Sequence, residues 1–233
     1  MAAAFQQFGT AHLGAILLTF VAPLGLCAVN RLTEGSVTRA LDWSLAALLL
    51  GSEILKFILL YRDSELKIET AAPMHLCNWA AIATMATLAY PNQWTYELCY
   101  FWALAGTLQA LLTPDLSYEF PDLHFLSFFT LHGGVVASAL YLTFCLGLRP
   151  VPMSVPRVLA WSLLYLVTAL VANSIFKTNF GYLRAKPSHP SLLDYLWPWP
   201  FYIPQLLLLA IVSCIVFYMP FFLLDEMRNR GSS

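Results

Sequence analysis

Apolar residues run along this chain in long blocks rather than in alternation, and polar residues gather at the block ends. A bilayer core about 30 Å thick takes roughly 20 apolar residues as helix, with a range of about 17–25. Seven blocks meet that length, at about 12–30, 42–61, 74–90, 95–113, 126–147, 157–177 and 202–224. The third and fourth are the weakest, being short and carrying Glu97 and Gln109. Pro23, Pro204 and Pro220 lie near or within blocks, where the missing N–H and fixed φ kink a helix. The pattern predicts an all-α polytopic membrane protein, a seven-transmembrane-helix bundle forming a single transmembrane domain over 1–233.

The connections are short except for 179–201, which is rich in proline and aromatic residues, including Tyr195, Trp197 and Trp199. Tyr and Trp in such a stretch suit the membrane–water boundary. Seven crossings put the two termini on opposite sides. On the amino-terminal side, His12 opens the first block, while Glu53 and Lys56 lie in the last turns of the second. His75, Cys77 and Asn78 open the third, and Gln109, Thr113 and Asp115 close the fourth. His132 lies about two turns into the fifth; Asn173, Lys177 and Asn179 close the sixth. At 1.5 Å per residue these groups fall within very roughly 12 Å of one membrane surface. The opposite ends show little beyond Asp42, Glu97 and flanking arginines. Ionisable groups inside a membrane are costly and mark functional sites by default. The expectation is a polar pocket opening towards the amino-terminal face.

Composition removes other classes. The chain is 59% hydrophobic and 11% charged, with a mean hydropathy of +0.68, whereas soluble domains carry about 25% charged residues. A net charge of -1 gives no basic surface for nucleic acid. The five cysteines, Cys27, Cys77, Cys99, Cys145 and Cys214, form no C-x-x-C pair and lie in apolar runs, so neither a zinc site nor a disulfide framework is expected. Residues 1–11 lack the basic stretch of a cleavable signal peptide. Lysine and arginine divide six to five in favour of the carboxy-terminal face, with Arg157 and Lys177 at block ends counted in. That places the amino terminus of a multi-pass cell-membrane protein on the extracytoplasmic side.

Glu53 and Lys56 are three apart, so they share a helix face and can pair. His75 and Asn78 share another face, while Cys77 points roughly 160° from His75 in an ideal helix. His132 precedes Gly133 and Gly134, where a second helix or a substrate chain can approach the backbone closely. A neutral imidazole there can serve as a general base. The string from His189 to Asp194 matches the H-x4-D pattern of glycerolipid acyltransferases, but it is short and prolines surround it. No phosphate loop, nucleophile elbow or zinc-protease motif occurs.

Four blocks carry a family resemblance. The first is Pro73-Met74-His75-Leu76-Cys77-Asn78-Trp79-Ala80 and the second runs from Tyr100 to Asp115. The third is Phe128-Phe129-Thr130-Leu131-His132-Gly133-Gly134, and the last runs from Asn179 to Pro187, continuing through Leu192-Leu193-Asp194-Tyr195 to Pro198-Trp199-Pro200. These resemble the YwaF-like bacterial integral membrane family over almost the whole chain. That family is distantly similar to a human transmembrane acyltransferase of ether phospholipids, thought to use a cysteine nucleophile. The resemblance implies a membrane acyltransferase of phospholipid or lysophospholipid acyl chains, with Cys77 as nucleophile and His132 as base. His12, Glu53, Lys56, His75, Asn78, Gln109, Asp115, Asn173, Lys177, Asn179, Tyr182 and Arg184 would line the substrate pocket by position. Membrane lipids are the expected partners; no nucleic acid, metal or cofactor is expected. A proton-coupled transporter and a non-catalytic lipid-binding protein are the alternatives.

Overall fold

The computed structural model describes residues 4–231, and these are helical apart from loops and one isolated bridge between Ala4 and Tyr118. In chain order the helices are α1 (Thr10–Leu32), α2 (Thr38–Arg62), the single turn α3 (Ile68–Ala71), α4 (Leu76–Ala89) and α5 (Gln93–Trp102). A π-helical turn, Ala103–Thr107, joins α5 to α6 (Leu108–Leu112). Then come α7 (Leu123–Phe144), α8 (Ser154–Phe176) and α9 (Tyr202–Gly231). Five of these, α1, α2, α7, α8 and α9, are long and apolar enough to cross a membrane. The third and fourth expected blocks are the ones that differ. Helix α4 has 14 residues, about 21 Å of helix, and the stretch 93–112 is broken by the π turn.

Position explains that difference. Helices α4 and α5 are interior: Ala80, Leu88, Tyr96, Cys99 and Phe101 are wholly buried. A helix walled by protein need not match the lipid thickness, because its neighbours satisfy its ends. Helix α7 is the central post, with 67% of its apolar window buried against 6% for α9. Its glycines set the spacing. A Cβ on Gly133 would lie 2.6 Å from Thr19 Oγ1 of α1, and one on Gly134 would lie 2.8 Å from Leu49 Cδ2 of α2. Both outer helices therefore press directly on the α7 backbone. The outward faces of α1, α2, α8 and α9 expose Leu18, Leu24, Ile58, Leu163, Ile175 and Val216, an apolar surface that suits lipid.

Helix ends have identifiable causes. Asn92 Oδ1 accepts from the Thr95 N–H, capping α5, and Asp122 Oδ1 accepts from the His124 N–H, capping α7. Pro91 and Pro114 follow α4 and α6, where each denies the helix an N–H. Lys177 ends α8 in the left-handed region at φ 58°.

The end of the bundle opposite the amino terminus is more charged inside than the sequence pattern suggested. Glu97 is 1% exposed and accepts from Gln93 (2.9 Å), Ser154 (2.7 Å) and Arg157 (2.5 Å). Asp42 is equally buried and pairs with Arg39 at 3.5 Å, while the Arg39 guanidinium also caps the Leu88 and Ala89 carbonyls at the end of α4. The Glu97 contacts with Ser154 and Arg157 are hidden in a linear reading because those partners lie 57 and 60 positions away. At the amino-terminal end, both ring nitrogens of His124 meet carboxylates, Nε2 to Asp63 at 2.9 Å and Nδ1 to Asp122 at 2.8 Å. This bridge ties the end of α2 to the start of α7.

Two outcomes follow from these pairs. Glu97→Ala strands the Arg157 guanidinium in a low-dielectric site, and losing one partner of a buried pair costs about 3–5 kcal/mol; a lowered thermal unfolding midpoint in detergent checks this. Asp63 is held below the ordinary carboxylate pKa by its hydrogen bond from Arg62, and Asp122 by the His124 backbone N–H. Depressed carboxyls contribute stability above the unfolded pKa of about 3.9, and that contribution is lost as pH falls through the folded values. The midpoint is therefore expected to hold from pH 7 to about 5 and to drop below about 4, less steeply in Asp63→Asn.

Candidate functional site

Helix α2 places Glu53 and Lys56 on one face, one turn apart, and they form an ion pair at 2.6 Å. Both are partly buried, at 16% and 29% side-chain exposure. The second Glu53 oxygen accepts from Asn78 Nδ2 at 3.2 Å. Asn78 in turn accepts from the His75 backbone N–H at 3.3 Å, which caps α4. The ion pair and the start of α4 are thus one hydrogen-bonded unit.

Cys77 follows in the first turn of α4 and is a half-buried free thiol. It stands beside the buried Thr107, whose hydroxyl approaches the thiol. The π turn delivers Thr107 there. Gly106 makes the approach possible, since a Cβ on it would lie 2.9 Å from Leu76 Cδ2. Glu53 and Lys56 lie within electrostatic reach of Cys77. The same two groups, with His75, reach His132 on α7. His132 is buried, and its Nδ1–H donates to the Phe128 carbonyl at 2.8 Å. That bond fixes the neutral tautomer and leaves Nε2 as a bare acceptor. No hydrogen bond joins Cys77 to His132 among the described residues.

A loop covers this cluster. The Gly181 N–H donates to His75 Nδ1 at 3.4 Å, and the His75 ring sits edge-on to Phe180. Tyr182 donates its hydroxyl to Asp115 at 2.9 Å. Burial, then the Asp115 charge, push the Tyr182 phenol up, so it stays a donor. For Asp115 burial opposes ionisation, but hydrogen bonds from His189 and Tyr182 outweigh it and hold the carboxyl below its ordinary pKa.

Other candidates hold this loop rather than join the cluster. Asn173 is buried; its amide accepts from the Phe180 N–H at 2.7 Å and donates to the Phe180 carbonyl at 3.0 Å. Asn179 accepts from the Arg184 and Ala185 N–H groups, at 2.9 and 3.0 Å. Arg184 donates to the Asn173 carbonyl at 3.2 Å. Lys177 is exposed at the turn. His12 lies elsewhere, wholly buried between Phe5, Phe8 and Phe129, accepting from the Phe8 N–H at 2.8 Å and donating to the Leu111 carbonyl at 2.9 Å. Both its ring nitrogens are occupied. The buried Gln109 Oε1 has no partner among the described residues. Asp194 accepts from the Ser191 N–H, closing its own turn, and His189 turns to Asp115 instead.

Thr107 and Tyr165 are members of this neighbourhood that sequence reasoning passed over. Tyr165 lies within electrostatic reach of Cys77, and its buried hydroxyl approaches the Leu76 backbone. The only linear signal for Thr107 was its adjacency to Gly106.

On the other flank of α7, an open groove of about 460 Å³ runs between α1, α2 and α7. Leu18, Leu26, Leu48 and Phe129 line it, and Gly133 and Gly134 form part of its floor next to His132. A model of the TMEM164 family matches residues 7–218. The chain belongs to the TMEM164 family. No curated protein and no solved structure matches it. The TMEM164 match runs from before α1 into α9 and covers His12, Cys77, His132 and Arg184, so the cluster and the loop over it both fall within the family's extent. With five apolar helices of spanning length, the chain is a multi-pass membrane protein.

The loop over the cluster has one backbone position that no other residue suits. Gly181 has φ 65°, and a Cβ there would lie 2.6 Å from the Tyr165 hydroxyl. Gly181→Ala is expected to cost about 1–3 kcal/mol through the left-handed backbone and the collision. A reduced thermal midpoint, with a smaller loss in the Gly181→Ala/Tyr165→Phe double variant, checks that the two residues are coupled.

Proposed function

We propose that this protein is a membrane acyltransferase that moves acyl chains between phospholipids, with Cys77 as nucleophile and His132 as base, in a bundle crossing the bilayer seven times. The observation that carries the reading is the shared Glu53–Lys56 pair. One ammonium lies within electrostatic reach of both the Cys77 thiol and the His132 ring. Glu53 balances Lys56 within the pair, so the pair adds no net positive charge at the thiol, and Cys77 has to give up its proton during the attack rather than before it. The α1–α2–α7 groove offers an apolar bed of acyl-chain dimensions along the opposite flank of α7. The resemblance of the Cys77 and His132 blocks to YwaF-like proteins, and through them to an ether-phospholipid acyltransferase, points the same way. In this topology the amino terminus faces outward from the cell membrane, and α4 and the 93–112 stretch make the third and fourth crossings.

The reaction divides into two transfers. The Cys77 sulfur attacks the ester carbonyl of a donor phospholipid, and the thiol proton leaves with the departing glycerol oxygen. The acyl group is then a thioester on Cys77. The hydroxyl of a lysophospholipid attacks that thioester, His132 Nε2 takes its proton, and the sulfur leaves and recovers a proton from the imidazolium. Each step is easier than direct transfer between two esters. The Asn78 amide and Thr107 hydroxyl are the donors nearest the thiol end of α4.

The decisive experiment reconstitutes the purified protein in nanodiscs with a labelled donor phospholipid and an ether lysophospholipid. Transfer of the labelled chain is expected for the wild type, none for Cys77→Ala, and a rate about 100-fold lower for His132→Ala, in the range for loss of a positioned base. Undiminished transfer by Cys77→Ala removes its role. Wild-type protein that retains lipid without altering it favours the non-catalytic alternative, and acid-dependent solute uptake into proteoliposomes favours the transporter.

A further inference from the structure

A second cluster of reactive side chains lies at the aqueous mouth of the bundle and uses none of Cys77, His132, Glu53 or Lys56. His189 Nδ1–H donates to Asp115 Oδ1 at 2.5 Å. On the far side of the same ring, His189 Nε2 faces Ser117 Oγ at 3.5 Å. Asp115 is fixed from behind, with Tyr182 donating to its other oxygen at 2.9 Å and Ser188 to Oδ1 at 3.3 Å. Ser117 is held by its carbonyl, which accepts from the Phe5 N–H at 3.1 Å. We propose that Ser117, His189 and Asp115 form a serine-nucleophile triad that cleaves carboxylic esters lying at the membrane–water boundary.

The roles follow from the atoms. Asp115 fixes the ring with its proton on Nδ1, so the Nε2 lone pair is the one turned to the hydroxyl, the arrangement a Ser–His–Asp centre requires. A separation of 3.5 Å is longer than a working hydrogen bond, as nucleophile–base pairs often are without substrate. Ser117 is exposed and His189 half-exposed, so an ester can reach the oxygen from water. The loop that carries His189 also exposes Tyr195, Trp197 and Trp199, each more than half exposed. Such residues settle at headgroup depth, where the ester linkages of glycerolipids lie. The substrate class is therefore an interfacial ester rather than a soluble one.

The chemistry balances with water as co-reactant. Ser117 Oγ bonds to the ester carbonyl carbon while its proton passes to His189 Nε2. The carbon–oxygen bond to the alcohol breaks, and the alcohol departs with that proton. Water then attacks the acyl-serine, giving a proton to Nε2; the acid leaves and Ser117 recovers its proton. An alcohol and a carboxylic acid are released for one ester and one water consumed.

The test treats full-length protein in nanodiscs with an alkyl fluorophosphonate, which loses fluoride as a serine oxygen bonds to phosphorus. Peptide mass spectrometry is expected to place the adduct on Ser117. Ser117→Ala should abolish it, and His189→Ala should slow it about 100-fold, while both variants unfold at the wild-type temperature. Capture of Ser117 should also prevent release of p-nitrophenol from p-nitrophenyl decanoate in the same nanodiscs. An unlabelled wild type, an adduct on another residue, or a His189→Ala variant labelled at the wild-type rate overturns the proposal. The Cys77 reading is judged by acyl transfer alone, so either can fail without the other.

Discussion

Contact between bare α7 backbone and the side chains of α1 and α2 sets the geometry of everything else. Gly133 and Gly134 let Thr19 and Leu49 sit where a Cβ would be. In lipid there is no hydrophobic gain from bringing helices together, so close packing has to supply the attraction. That packing holds α2 against α7, which brings the Glu53–Lys56 pair within reach of His132. It also holds the start of α1 near α6, where His12 donates to the Leu111 carbonyl. A wider spacing would separate the charged groups from the histidines they influence.

The polar groups of the bundle are satisfied by different means at its two ends. At the end carrying Glu97 and Asp42, charges are enclosed and met by arginines, and one of these arginines also closes the end of α4. Buried polar atoms without a hydrogen-bond partner among the described residues occur towards both ends, Asp42 Oδ1, Glu97 Oε2 and Arg157 Nε at the charged end and Gln109 Oε1 at the other. The buried Thr107 and Tyr165 hydroxyls lie beside Cys77 and the Leu76 backbone respectively. Unmet buried polar groups cost free energy. His12, Asn173 and Asn179, by contrast, spend their hydrogen-bonding capacity on the backbone.

The helical class and five spanning helices were legible because block length and composition alone carry them. Block boundaries fell within a few residues of the helices for α1, α2, α7 and α8, and α9 runs on to Gly231. The interior helices were less legible. Protein contact relaxes the length requirement for α4, and nothing in 103–107 except Gly106 signals a change of helical winding. For the site, sequence depth grouped Glu53, Lys56, His75, Cys77, Asn78 and His132, which the helices do bring to one region. Depth could not separate residues of this cluster from residues that tie a turn, because Asn173 and Asn78 occupy similar heights and differ only in partner. Nor could it find the Glu97–Arg157 pair or the contact of His189 with Asp115, separated by 60 and 74 positions.

The winding change at Ala103–Thr107 acts as a phase shifter. A π turn accommodates an extra residue in an otherwise continuous helix, and one residue is about 100° of rotation about the axis. Everything downstream, including the carbonyl that His12 meets, is turned by that angle relative to α5. Substitutions within 103–107 leave the phase intact, whereas shortening the segment by one residue would rotate α6 as a unit. The orientation of the bundle's hydrophilic end is thus encoded by residue count in this segment more than by residue identity.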